Sequence, residues 1–252
     1  MDKKKGIQEL SAIIKGLIEK QNGRFMDDIK EKERTTWYLD TNAYELYCNN
    51  NFLLRIRKEK NSEEYDVTLK CRHSDRYVSA SYDLASSIEG IDIKFEEDIV
   101  IPFISKFSLS ASLKGKQIPR FNTMQDVVSV FPGLDLGIET GKMLSKVNNF
   151  EVVEISSKIG KIAFSDDATE IEPELNLWYS SIKEDRPLIV EFTFKCKAAK
   201  QDKAEKMLLE EYPHSLVLEA DSFYHSLQKD KIVDKQATKT KTDLVYSNCF
   251  KP

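Results

Sequence analysis

The apolar positions change period along the chain. Near the N-terminus Ile7, Leu10, Ile13, Ile14, Leu17 and Ile18 recur at helical spacing, and the run stops at Asn22-Gly23. This predicts an amphipathic helix over 1–23, able to dock on the rest of the chain or on a protein partner. From residue 35 the period falls to two. Runs at 35–40, 52–59, 65–72, 77–84 and 91–98 alternate apolar and polar side chains across short polar connections, the pattern of half-buried strands. From 101 to 147 the chain reads as a loop-and-helix insertion, with Thr123 the N-cap of "MQDVVSVF" and Pro132-Gly133 its stop. Strands resume at 150–156, 158–166, 173–182 and 188–197, followed by helices over 198–212 and 220–229. The last stretch, 230–252, has few large apolar residues and is expected to be a flexible tail. Residues 24–229 thus read as one α+β domain built on a large antiparallel sheet.

Residues two apart on a strand share one side of the sheet, so the same pattern assigns faces. Arg55 and Arg57 lie together, against Leu54 and Ile56. Thr68, Lys70 and Arg72 oppose Val67, Leu69 and Cys71. Lys94, Glu96 and Asp98 oppose Ile91, Ile93 and Phe95, and Glu191, Thr193 and Lys195 oppose Val190, Phe192 and Phe194. Two readings fit. An antiparallel sheet commonly keeps one face wet, which needs no ligand. Alternatively the polar faces converge inside a barrel, where Arg and Lys neutralise a polyanion and carboxylates hold a divalent metal.

Composition narrows the classes. The chain has 252 residues, 40% apolar and 32% charged, which fits a folded globular protein. Its 38 basic and 42 acidic residues give a net charge of −4. That excludes a duplex nucleic-acid footprint and makes any anion site local. No apolar run approaches the roughly 18 residues of a membrane span, so no membrane partner is expected. Cys48, Cys71, Cys196 and Cys249 form no CxxC pair and read as reduced thiols, consistent with a cytoplasmic location. His73, His214 and His225 are too scattered for a local metal motif, and no P-loop, dinucleotide fingerprint or G-x-S-x-G elbow occurs. Trp178-Tyr179 reads as sheet packing, with stacking on a base as the alternative.

The segment 37–70, "WYLDTNAYELYCNNNFLLRIRKEKNSEEYDVTLK", resembles the CYTH superfamily of triphosphate tunnel proteins. The likeness lies in the order and spacing of Tyr38-Leu39-Asp40-Thr41, Leu46, Leu54-Arg55-Ile56-Arg57 and Thr68-Leu69-Lys70. Further on, "FEED", "IAFSD", "VEFTFK" and a closing helix with Ser222 and Tyr224 resemble later parts of the pattern. The resemblance implies a closed or nearly closed antiparallel eight-stranded β-barrel, a tunnel, with flanking helices. It implies that Arg55, Arg57 and Lys70 contact phosphate oxygens, with Arg72, Lys94 and Lys195 as further cations on the same faces. Glu96, Glu191 and Asp166 would be the metal ligands, with Mg²⁺ or Mn²⁺ as the ion.

The family's N-terminal E-x-E-x-K strand is missing from this reading. Residues 1–34 offer only Glu31-Lys32-Glu33, without the lysine two residues on. The nearest echo is "EFTFK" at 191–195, with Thr193 in place of the second carboxylate. Asp221 stands where a lysine is expected before the closing helix's serine. Function therefore divides three ways. One is a metal-dependent triphosphatase-type phosphohydrolase. The second is a non-catalytic module binding a phosphorylated small molecule (triphosphate, polyphosphate or nucleotide) through a degenerate acidic site. The third is a structural protein that has lost its ligand.

Overall fold

A computed structural model describes residues 3–20, 24–163, 170–181, 183–195, 214–231, 233–234 and 240–247. Eight strands share one sheet: β1 (Arg24–Thr41), β2 (Phe52–Glu59), β3 (Tyr65–His73), β4 (Asp92–Val100), β5 (Ile104–Gly115), β6 (Leu144–Ala163), β7 (Glu170–Tyr179) and β8 (Ile189–Lys195). Their hydrogen-bonded order is β4-β5-β3-β2-β1-β6-β7-β8. The β1–β2, β2–β3, β3–β5, β4–β5 and β7–β8 ladders are antiparallel. With its flanking helices this is the α+β architecture that the alternation predicts.

The chain divides into two compact units, each discontinuous in sequence. Unit 1 holds 1–33 and 154–235, and unit 2 holds 34–153 and 236–252. No linker marks the division, because the long strands β1 and β6 each serve both units.

In unit 1, helix α1 (Lys3–Glu19) buries Ile7, Ile14, Leu17 and Ile18 and contacts helix α4 (His214–Lys229), which buries Leu216, Ala220, Phe223 and Leu227. Of the two fates open to the N-terminal helix, docking within its own chain uses its apolar stripe. Sheet residues Ile171, Leu175, Leu177 and Trp178 are likewise buried. The helix expected over 198–212 lies outside the described residues.

In unit 2 the apolar face of β2, β3 and β5 carries Leu54, Ile56, Val67, Leu69, Cys71 and Ala111. Helix α3 (Met124–Val130) contributes Met124, Val127 and Val130 to the same cluster. Each fully buried aliphatic side chain here contributes about 1.5–3 kcal/mol. Thr123 caps α3 as expected: its backbone N–H donates to Asp126 Oδ2 at 2.8 Å. Gly133 allows a close approach, since a Cβ there would stand 2.3 Å from the Asp83 carboxylate.

Several local readings are corrected. The run at 77–84 is not a strand; its first part is the short helix α2 (Arg76–Ala80). Asp75 Oδ1 accepts from the N–H groups of Tyr77 (2.7 Å) and Val78 (3.1 Å), a cap that overrides the alternation. The supposed insertion contains β5, where Ser108, Ser110 and Ser112 alternate with Leu109, Ala111 and Leu113 and hide the strand behind small polar residues. The runs at 150–156 and 158–166 belong to the single strand β6 as far as Ala163, within which Asn148 and Asn149 take left-handed φ of 53° and 50°. Strand β1 begins at Arg24, so the charged stretch containing Glu31 and Glu33 is a strand after all. Its many charges conceal the period.

Among the described residues of the expected tail, 240–247 include a helix. Helix α5 (Lys241–Val245) is capped by Thr240, and Tyr246 is fully buried in unit 2 beside Tyr38, Tyr44 and Tyr47. Cys71 is a free, buried thiol, but Cys48 is disulfide-bonded. The expectation of four reduced thiols fails at Cys48, and with it the thiol argument for a cytoplasmic setting. Among the described residues no helix is long and apolar enough to cross a membrane.

Candidate anion-binding site

The polar face of unit 2 follows from register. Directly opposed residues in antiparallel strands point to the same side. Arg55 of β2 stands opposite Tyr38 of β1 and Thr68 of β3; Arg57 stands opposite Thr36 and Asp66. Across β5, Lys70 and Lys94 both face Ser110, Arg72 and Glu96 both face Ser108, and Thr68 and Asp92 both face Ser112. The result is a row of short hydroxyl side chains between two rows of long charged ones. Sequence reasoning misses the serines because it absorbs β5 into an insertion. Their spacing of two between apolar residues is the available signal.

Lys70 is a strongly perturbed cation of this face. Its side chain is only 14% exposed, with Glu96 Oε2 at 3.9 Å and Asp98 Oδ2 at 3.7 Å. Arg72 holds the same Asp98 oxygen at 2.7 Å. Burial pushes the Lys70 ammonium down to about 8; Arg72 and Arg55 push the same way, and Asp98 and Glu96 only partly offset them. Arg55 donates to Thr68 Oγ1 at 3.1 Å, which fixes the guanidinium along the strand face. The Nε of Arg72 is buried without a hydrogen-bond partner among the described residues.

The other expected groups are placed differently. Lys94 is exposed and ion-paired with Asp92 of its own strand. Glu191 and Lys195 belong to unit 1, where they stand opposite Asn176 and Glu172. Asp166 lies outside the described residues. Unit 1 has a polar face of its own. Glu154 is fully buried and accepts from Trp178 Nε1 at 2.8 Å, Ser156 donates to Glu174, and Lys158 lies 3.5 Å from Glu172. Trp178 and Tyr179 are both buried, which removes them as platforms for a base.

Among the described residues no three His, Cys, Asp or Glu side chains are grouped to hold a metal ion. Glu96 and Asp98 share a face, but both are within ion-pair reach of Lys70. A cavity of about 210 Å³ elsewhere in unit 2, lined by Thr41, Asn42, Tyr44, Ser145, Lys146 and Asn148 among others, contains none of the expected site residues.

Asp40 of the "YLDT" motif is structural. Its carboxylate accepts from the N–H groups of Thr41 (2.7 Å), Leu46 (2.9 Å) and Tyr47 (3.1 Å), holding the π-helical turn Glu45–Asn49. Burial nevertheless raises it to about 6, against the lowering effect of those bonds and of the Tyr246 hydroxyl.

No family model matches the chain, and no curated protein matches it. Among solved structures it is similar to a Hippeastrum protein named for adenylyl cyclase activity and described as having a dominant triphosphatase activity. The two are 10% identical, the match covers 96% of this chain and 91% of that one, and the TM-score is 0.45. A likeness of that degree carries no weight in the functional reading.

Proposed function

We propose that the polar face of unit 2 binds a phosphorylated small anion, of the triphosphate, polyphosphate or nucleotide class. The observation that carries this reading is Lys70, a buried ammonium depressed to about 8 between Arg55 and Arg72. A lysine so placed carries incompletely compensated positive charge in a poorly solvated site, and a polyanion would relieve that cost. Arg55 and Arg72 add planar donors suited to phosphate oxygens. The resemblance of residues 37–70 to the triphosphate tunnel pattern supports the same ligand class.

Binding is the core of this reading, and hydrolysis with Mg²⁺ or Mn²⁺ is its catalytic form. Calorimetric titration with tripolyphosphate tests the reading, using wild type, Arg55→Ala and Lys70→Ala. Tight binding to wild type, weakened in both variants, is expected; equal binding in all three, or none, overturns it. A parallel assay of phosphate release with Mg²⁺ or Mn²⁺ against EDTA decides between binding and hydrolysis.

A further inference from the structure

Cys48 lies exposed on the π-helical turn Glu45–Asn49 and is disulfide-bonded, whereas Cys71 is a free, buried thiol. Within the chain this leaves Cys196 or Cys249 as its partner, both outside the described residues. The neighbours of Cys48 select between them. Tyr47 packs on the Tyr246 ring at 4.2 Å, and its hydroxyl donates to Asp243 Oδ1 at 3.3 Å. Cys249 follows Tyr246 by three residues, a reach of up to roughly 11 Å of chain. A disulfide needs Cα atoms about 4.4–6.8 Å apart. Residues 236–252 belong to unit 2 with Cys48, whereas Cys196 follows β8 in unit 1. We propose that Cys48 is paired with Cys249, and that thiol–disulfide exchange at this pair fastens and releases the C-terminal segment on unit 2.

The non-covalent contacts of the segment favour this closure. Tyr246 is fully buried against Tyr38, Tyr44 and Tyr47, and Asn148 Nδ2 donates to the Val245 carbonyl at 2.8 Å. A segment held beside Cys48 gives its own cysteine a high effective concentration there. The bond joins residues some two hundred positions apart, and a cross-link that closes so long a loop restricts the unfolded chain strongly. The exposure of Cys48 makes the bond reversible, since an attacking thiolate can reach it. A dithiol supplies two electrons and two protons: the Cys48–Cys249 bond breaks, both cysteines become thiols, and the dithiol closes to its own disulfide. Glutathione disulfide reverses the change, reforming the bond and leaving as two molecules of glutathione. Reduction leaves Tyr246 and Val245 held by packing and one hydrogen bond alone, so the segment opens more often.

Two measurements on the full chain test this. The first equilibrates the protein with glutathione disulfide, quenches in acid, alkylates the free thiols and maps the peptides without reductant. The Cys48 peptide should be joined to the Cys249 peptide, with Cys196 and Cys71 alkylated. A Cys48–Cys196 link, or alkylated Cys48 and Cys249, overturns the pairing. The second compares hydrogen exchange with and without dithiothreitol. The amides of 240–247 should exchange on the order of tenfold faster in the reduced chain. Cys249→Ser should show the fast exchange in both conditions, and Cys196→Ser should respond to dithiothreitol as wild type does. Equal exchange of 240–247 in oxidised and reduced wild type overturns the release.

Discussion

Lys70 Nζ stands 3.7 Å from the Asp98 oxygen that Arg72 grips at 2.7 Å, so one carboxylate is shared unequally by two neighbouring cations of one strand face. The arginine takes the short contact and the lysine is left with the long one. Since Lys70 is also the more buried of the two, its charge is the less well compensated. An entering phosphate would meet that deficit first.

Removing the ammonium should weaken anion binding in proportion to a charge-assisted contact. Lys70→Met is expected to cost about 1.5–3 kcal/mol of tripolyphosphate affinity, roughly tenfold to a hundredfold. Titration calorimetry at pH 7 measures it.

Binding should also take up protons. Lys70 titrates near 8, below its usual 10.5, and an anion placed beside it favours the charged form. Near pH 8.5 the observed heat should depend on the buffer's ionisation enthalpy, and Lys70→Met should abolish that dependence. Buffer-independent heats in the wild type would show that Lys70 does not meet the ligand.

The same depression has a signed effect on stability. A lysine whose pKa is lower folded than unfolded contributes most above the unfolded value of 10.5, and that contribution is lost as pH falls through about 8. The ligand-free protein should therefore gain up to about 3 kcal/mol from this group between pH 8 and 10.5. The difference between wild-type and Lys70→Met urea curves isolates it from the tyrosines that titrate nearby.

Asp40 behaves in the opposite pH range. Its carboxyl is raised from 3.8 to about 6, so its contribution is fully present below 3.8 and is lost as pH rises through about 6. The loss is on the order of 3 kcal/mol. Asp40→Asn should flatten the stability profile between pH 4 and 6. A variant profile with the wild-type slope would place the titration on another group.

The ordered C-terminal segment should matter thermodynamically. Tyr246 is fully buried against Tyr38, Tyr44 and Tyr47, and the Val245 carbonyl accepts from Asn148 Nδ2 at 2.8 Å. Tyr246→Ala should cost about 3–5 kcal/mol, the range for deleting a buried aromatic. Thermal unfolding followed by near-ultraviolet circular dichroism would report it.

By itself the sequence determined the strands whose own residues carry the full signal. In β2 as far as Ile56, and in β3, every second residue is apolar, so period and face are both legible, and alternation alone puts Arg55, Arg57, Lys70 and Arg72 on one side. The helices α1 and α3 are legible for the same reason, through a spacing or a cap confined to a few residues. Tertiary structure decided whatever depended on distant partners. The charged first half of β1 and the serine-rich β5 have no amphipathic signature strong enough to announce a strand; β5 is held extended by its ladders to β3 and β4. Tyr246 is buried because Tyr38, Tyr44 and Tyr47 form its receptacle some two hundred residues earlier in the chain. The depression of Lys70 likewise comes from burial, which Asp98 on β4 only partly offsets. Alternation gives the side of a sheet to which a lysine points; the neighbouring strands determine how much water and countercharge it keeps.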